Sequence, residues 1–413
     1  MSKHFGITSR LGARRAALAV TGLLAISLAA AGCNADSSGR AAAGGTAVAP
    51  SASSSPPTSA ASVTSNLPGK RPVGVDKVVT LHAQHGRFGT VAVRIGKGGQ
   101  TLAGTMSADK STWTSTQRLE PGVRYAVHAV AVDAQGLKAK KHQVFRTQNL
   151  TLDQQTYPSF APLAGETVGV GMPVIVHFDV PVTNRAAIER HLSVQTSPHQ
   201  AGAWHWISGN EVHWRPAHYW KAGTDVTVNA DINSIPAGNG IYGQLSRSSS
   251  FHVGNAIIAK VHIQSHQMRV FVNGQLKRTI PISAGKPGFT TRSGVKVIVE
   301  KFRHKRMDAR TINIKPSSPN YYNLSNVEYA QRVTYSGEFL HAAPWSVSDQ
   351  GSANVSHGCV GMSTANAAWF YHLTHGRGDV VAVTGSNRHM TLTNGYGDWN
   401  ESFSQYAQGS ALH

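Results

Sequence analysis

From residue 77 to residue 384 this chain is a succession of short β-branched or alternating apolar runs, cut by Gly, Pro and Asn. Runs of that length make strands, and strands recurring at short intervals between Gly/Pro turns stack sheet on sheet. The pattern therefore predicts a mostly β protein. Residues 77–81, 90–95, 124–132 and 143–147 read as strands of a first unit, with Pro121-Gly122 and Ala134-Gln135-Gly136 as turns. A second unit takes residues 174–178, 192–195 and 225–230 as strands and 204–214 as a hairpin about Ser208-Gly209-Asn210. Residues 184–191 have room for a helical turn or two. Trp204, Trp206, Trp214 and Trp220 are expected in this unit's core or at a domain interface, with glycan binding as the alternative. The two units span 69–148 and 149–254, each of β-sandwich size.

A third domain spans 255–386. Residues 259–272 alternate as one strand, Asn273-Gly274 turns the chain, and 275–283 return with Pro281 near the strand end. On such a strand His262 and His266 lie too far apart for one ion, and no HExxH or CxxC accompanies them, so no metal site is expected. Residues 287–294 form a polar loop, and 295–300, 333–341 and 379–384 are further strands. Ser363 or Thr364 caps a helix to about His375, with Gly376 as its stop. Residues 387–413, with Trp399, Phe403 and Tyr406, pack back as an accessory segment.

The amino end is of another kind. Lys3, Arg10, Arg14 and Arg15 precede an apolar run, residues 16–31, that is too short to span a bilayer, and small residues lead to Cys33. Residues 1–33 read as a signal peptide. The Ala31-Gly32-Cys33 junction resembles a bacterial lipobox, which implies lipidation of Cys33 and a membrane anchor. Residues 34–68 are Ala, Ser, Gly, Thr and Pro. They bury too little to offset their ordering entropy and read as a flexible tether.

With Cys33 modified, Cys359 is the one thiol left, and an exported chain has little reason to keep an unpaired thiol except for its reactivity. A free thiol titrates near about 8.5, so thiolate at neutral pH needs an imidazole beside it. Two are in reach: His357, in Ser356-His357-Gly358-Cys359, and His341, with fourteen residues between it and Ser356. Gly358 lets the backbone pass close to a substrate, so that the N–H groups of Gly358 and Cys359 are candidates to hold an oxyanion.

These residues resemble those of bacterial L,D-transpeptidases, whose catalytic fold is called YkuD-like. The family pattern is a His, a spacer, then Ser/Thr-His-Gly-Cys, here His341 and Ser356 to Cys359. Tyr335-Ser336-Gly337, the stretch from His341 to Trp345, and Gly397-Asp398-Trp399-Asn400 resemble the mycobacterial and actinobacterial branch. The resemblance implies two immunoglobulin-like β-sandwich domains followed by a β-rich YkuD-like catalytic domain with a short helix after the nucleophile. It implies Cys359 as nucleophile, His341 as base and proton carrier, His357 as an orienting group and Tyr322 over the substrate carbonyl. Ser336 and Gly337 would line the donor groove beside Trp345, with Ser356 and Gly361 also at the substrate site. Gly361 stands where the family usually has Asn, a departure that bears on handling of the acceptor.

The implied reaction is formation of 3→3 cross-links between peptidoglycan stem peptides, a donor tetrapeptide losing D-Ala to an acceptor amine, with carbapenems as covalent inhibitors. It needs no cofactor. Thirty-nine Lys and Arg against twenty Asp and Glu give +19, which attracts polyanions. No nucleic-acid-binding motif appears, so phospholipid headgroups, wall phosphates and stem-peptide carboxylates outside the cell are the expected partners. An L,D-carboxypeptidase of the same thiol chemistry and a non-catalytic wall-binding lipoprotein are the alternatives.

Overall fold

The structure is a computed structural model that describes residues 57–69 and 71–413. The signal peptide, Cys33 and most of the expected tether lie outside the described residues. The first sandwich comprises β1 (Ser62–Ser65), β2 (Thr80–Gln84), β3 (Arg87–Ile95), β4 (Gly104–Met106), β5 (Thr112–Ser115), β6 (Arg124–Val132) and β7 (Lys138–Arg146). Its sheets are β1-β2-β5-β4 and β3-β6-β7. On β6 every second residue is buried, and Tyr125 stacks on Phe145 of β7 inside the core. The expected tether ends too late. Ser62–Ser65 pairs antiparallel with β2, Ala61 and Leu67 are buried, and Asp133 accepts from Ser59 Oγ and Ala60 N–H. That strand is held by its backbone ladder, which a Ser/Thr/Ala composition does not advertise.

The second sandwich holds β8 (Gln155–Thr156), β9 (Pro158–Ala161), β10 (Thr167–Val168), β11 (Val174–Phe178), α1 (Arg185–Glu189), β12 (Leu192–Ser197), β13 (Gly202–Trp206), β14 (Glu211–Pro216), β15 (Asp225–Ala230), β16 (Pro236–Gly238), β17 (Ile241–Gly243) and β18 (Arg247–Val253). Its main sheets are β10-β18-β15-β12 and β13-β14-β11-β9. All four tryptophans named above lie in its core, which continues into the next domain through Val297, Val380 and Tyr396. Gly171 makes the close approach possible, because a Cβ there would lie 2.7 Å from Val380 Cγ2. Its N–H donates to Gly378 O.

The third domain has β19 (Ile257–His262), β20 (Gln267–Val272), β21 (Gln275–Pro281), β22 (Gly294–Val297), β23 (Glu300–Asp308), β24 (Asn323–Arg332), β25 (Phe339–Ala342), β26 (Val360–Met362), α2 (Thr364–Leu373), β27 (Val380–Thr384) and, in the tail, α3 (Phe403–Ala407). Its sheets are β21-β20-β19-β27-β22 and β23-β24-β25-β26.

Three expectations need correcting. The single strand over 259–272 is a hairpin, because His266 takes a positive φ and Ser265 N–H bonds His262 Nδ1, turning the chain without Gly or Pro. The strand over 333–341 starts only at Phe339, since Val333 N–H closes a turn onto Glu338 O. Helix α2 ends at Leu373 and not at Gly376. Thr374 turns extended, with its Oγ1 donating to Gln331 Oε1. The tail packs on the second sandwich, where Trp206 N–H donates to Gly409 O and Arg215 to Glu401 O.

Candidate functional site

The thiol sits where a loop enters a strand. β26 runs parallel to β25 with His341 paired to Gly361, so Cys359, two residues before Gly361, faces the same side. Cys359, His341, Tyr322, Trp345, Ser356 and Gly361 all line one cavity of about 330 Å³. The motif residues close the turn on themselves. Ser356 Oγ donates to Cys359 O at 2.6 Å and accepts from Gly358 N–H at 3.1 Å, while Thr291 Oγ1 donates to Gly358 O at 2.9 Å. Gly358 has φ +118°, a conformation that side chains avoid. The Gly358 N–H is therefore spent on Ser356, contrary to its expected oxyanion role. The Cys359 N–H, which has no hydrogen-bond partner among the described residues, is the donor left.

Burial pushes the half-buried Cys359 thiol up to about 12; the Phe339 backbone works against that rise, Glu338 adds to it, and Lys296 and Arg332 oppose it. The S–H points to Gly337 O at 3.8 Å. His341 is 5% exposed, and burial holds its pKa below the usual imidazole range. Its Nδ1 lies 2.7 Å from Ala342 O, which can only accept, so Nδ1 carries the proton and Nε2 is the free base. Trp345 stacks beside the ring at 5.9 Å. Thiol and imidazole are thus both neutral at rest.

His357 is wedged between Phe289 and Tyr322, with ring centroids 4.7 and 5.0 Å away, and its buried Nε2 has no partner. Burial, then Lys286, lowers its pKa. The Tyr322 phenol is pushed up to about 12, first by burial and then by Cys359.

Ser336 and Gly337 open onto a different hollow, although Gly337 O stays beside the Cys359 thiol. They line a second cavity of about 570 Å³ that meets the first at His357 and also takes Arg292, Glu338 and Arg388. Both Ser336 N–H and Ser336 Oγ are engaged by the Asn394 amide. Trp345 is 56% exposed at the rim of the first cavity, so it is not a core residue. At Gly361 a Cβ would lie 2.9 Å from that of Ala343, so any side chain there must displace this strand.

One cluster escaped the sequence reading. Glu338 is buried and takes Lys296 Nζ at 2.5 Å, Arg292 Nη1 at 2.9 Å and the Arg292 N–H at 3.1 Å. Its Cγ passes 3.7 Å from where a Gly358 Cβ would stand. This carboxylate ties β22 and the Thr291–Arg292 loop to the turn that carries Cys359. Lys296 within the apolar run from Val295 to Val299 was the available signal.

Residues 256–383 match the family of the L,D-transpeptidase catalytic domain, and residues 70–236 match the bacterial Ig domain, which spans both sandwiches. L,D-transpeptidase 2 of Mycobacterium tuberculosis (strain CDC 1551 / Oshkosh) is 35% identical over 352 residues, 85% of this chain and 84% of that protein. L,D-transpeptidase 5 of Mycobacterium tuberculosis (strain ATCC 25618 / H37Rv) is 32% identical over 342 residues, 81% of this chain and 73% of that protein. The solved structure of the L,D-transpeptidase LdtMt1 in complex with imipenem is 38% identical, covering 56% of this chain and 99% of that one, with a TM-score of 0.50.

Proposed function

The chain belongs to the L,D-transpeptidase family, and we propose that it joins peptidoglycan stem peptides by 3→3 cross-links through an acyl-thioester on Cys359. The observation that carries the reading is that the Cys359 thiol and His341, whose Nδ1 is held by Ala342 O so that Nε2 is the free base, line the same cavity. Cys359 Sγ adds to the carbonyl carbon of the third residue of a tetrapeptide stem while His341 Nε2 takes the thiol proton. The Cys359 N–H and the Tyr322 hydroxyl receive the oxyanion, and His357 orients Tyr322 through ring contact. Collapse breaks the C–N bond, and His341 returns the proton to the departing D-Ala amine. An acceptor amine then attacks the thioester, releasing the thiol with its proton.

The second cavity, which shares His357 with the first, gives room for a second peptide and so supports an acceptor amine over the water of a carboxypeptidase, with Ser336 and Gly337 then on the acceptor side and not in the donor groove that the resemblance implies. The imipenem complex of LdtMt1 supports acylation of Cys359 by carbapenems. The basic run, the apolar run and Cys33 support an extracytoplasmic, lipid-anchored protein facing the wall; with Cys33→Ala, labelled fatty acid should no longer be incorporated.

The test is incubation of the protein with a disaccharide-tetrapeptide, read by mass spectrometry. Cross-linked dimer with free D-Ala is expected, and none from Cys359→Ser. Tripeptide alone would establish hydrolysis instead, and dimer from Cys359→Ser would end the thiol mechanism.

A further inference from the structure

The first sandwich carries a charged face that acyl transfer does not use. In the β3-β6-β7 sheet, Tyr125, Val127, Ala129 and Phe145 point into the core. Side chains alternate along a strand, so the even-numbered residues of β6 and β7 face outward. Those positions carry Arg124 and His128 on β6 and Lys138, Lys140, His142 and Arg146 on β7. On β3, Arg94 joins them opposite Ala126. Arg124 and Arg146 are direct cross-strand partners, a like-charge pair that costs the sheet stability.

Nothing in the domain neutralises this face. Its carboxylates between residues 71 and 146 are Asp76, Asp109, Glu120 and Asp133. Asp109 is held by Ser107 and Ser111, Glu120 by Asn233 of the second sandwich, and Asp133 by Ser59. Asp76 lies in the turn before β2. Among the described residues, no Lys or Arg of the face is in an ion pair. At one end Arg71, Arg124 and Arg146 line a cavity of about 360 Å³ between Pro68 and Pro72. The bridge from Val73 to Thr147 holds that loop against the end of β7.

We propose that this arginine cavity and the row of cations leading from it along β7 bind a linear phosphodiester polymer. One phosphate occupies the cavity and later ones lie over Lys140 and Lys138. Guanidinium groups match phosphate with paired N–H donors, and three of them converge on one hollow. Outward residues of a strand recur about every 6.8 Å, so the row from Arg146 to Lys138 runs for about 27 Å. That is a line, the shape of a single-stranded polymer. A bilayer would instead meet a broad face with apolar side chains to insert, whereas the outward remainder here is Ala126, Val130, Val132 and Val144. The exposed large apolar side chains of this domain, Val78 and Met106, lie off the sheet.

The test measures binding of the full chain to poly(glycerol phosphate) by fluorescence anisotropy across a salt series. Salt-dependent binding is expected. Arg124→Gln with Arg146→Gln should weaken it at least tenfold, and Lys138→Gln with Lys140→Gln should weaken it less. The lysine pair should lower the slope of log affinity against log salt by about 1.5, because two phosphates are no longer neutralised, and the arginine pair by about 0.7, because both arginines serve the one phosphate in the cavity. Carbapenem acylation of Cys359 should be unchanged in both double variants, which checks that the protein is folded. Wild-type affinity in both double variants would overturn the proposal. So would equal wild-type affinity for polyglutamate, which would reduce the site to undirected charge attraction. Tighter binding to phosphatidylglycerol vesicles than to the polymer, at equal phosphate, would assign the face to a membrane and overturn it as well.

Discussion

His213 in the second sandwich and His341 in the catalytic domain are equally hidden from water, with 3% and 5% of their surface exposed, and their surroundings drive them in opposite directions. Burial disfavours the charge in both. At His213 that penalty is outweighed by Asp398 on Nδ1 at 2.8 Å and Glu211 on Nε2 at 3.0 Å, which raise its pKa to about 9. At His341 the polar partner is a carbonyl, so the imidazole stays neutral. A carboxylate turns a buried histidine into a structural cation; a carbonyl leaves it a base with one free nitrogen. The first holds the tail to the sandwich through Asp398, whose Oδ1 also accepts from Tyr406 Oη. The second keeps an unprotonated Nε2 in the cavity that Cys359 also lines.

The comparison breaks most visibly under deletion. His341→Ala is expected to lower carbapenem acylation by roughly 10²–10⁴-fold, the contribution of a general base, with only a modest loss of stability. His213→Ala leaves Asp398 buried without its cation and should cost about 3–5 kcal/mol in urea unfolding, while acylation by the folded fraction stays near wild type. Stopped-flow acylation and equilibrium unfolding of the two variants decide this. Equal stability losses, or lost acylation in His213→Ala, would erase the distinction.

Acidity should separate the two next. The pKa of His213 is raised on folding, so its contribution is complete below about 6.5, the unfolded value, and is lost as pH rises through about 9. The loss is on the order of 3 kcal/mol and should shrink in Asp398→Asn. His341 is depressed, so its folded form loses stability as pH falls below about 6.5, where the unfolded chain takes the proton first. Acylation should hold level through the ordinary imidazole range and fall only at lower pH. Urea midpoints and acylation rates from pH 5 to 10 would show both limbs; an acylation pKa at or above the free imidazole value would contradict the neutral His341.

Much of this was legible in the sequence. Period-two burial along Arg124–Val132 and Asp225–Ala230 follows apolar residues whose spacing is visible in the text. Gly358 and Cys359 could be singled out from their types, a glycine that lets the backbone pass close and a lone thiol, whereas the turn-closing bonds of Ser356 and the positive φ of Gly358 appear only in the structure. The long β23–β24 hairpin was missed because residues 300–332 are charged and polar, its strands held by backbone pairing. The pairing of His213 with Asp398 spans 185 positions and leaves no local pattern. Glu338 was missed for the same reason, since it is an ordinary surface letter until the fold brings it to Lys296, whose place in an apolar run was the one local sign of the pair.

That pair offers the finest test of how neighbours set charge at the site. The thiol of Cys359 faces His341 from β25, His357 from its own turn, Tyr322 from the loop before β24, Arg332 from β24, Lys296 from β22, and Glu338. Of these, Glu338 and Lys296 are the buried charges of opposite sign. Glu338→Gln removes the charge that raises the thiol and leaves Arg292 unneutralised, so Cys359 should label faster with iodoacetamide at pH 8.5. Lys296→Met removes a charge that lowers the thiol and should slow labelling. Both charges act on the thiol more weakly than burial does, so each effect is expected at no more than about tenfold, in opposite directions. Both variants lose stability, because each strands a buried charge. If the pair served only to brace the turn, the two substitutions would loosen it alike and move labelling the same way. Rates of opposite sign from two destabilised proteins can only come from the field at the sulfur.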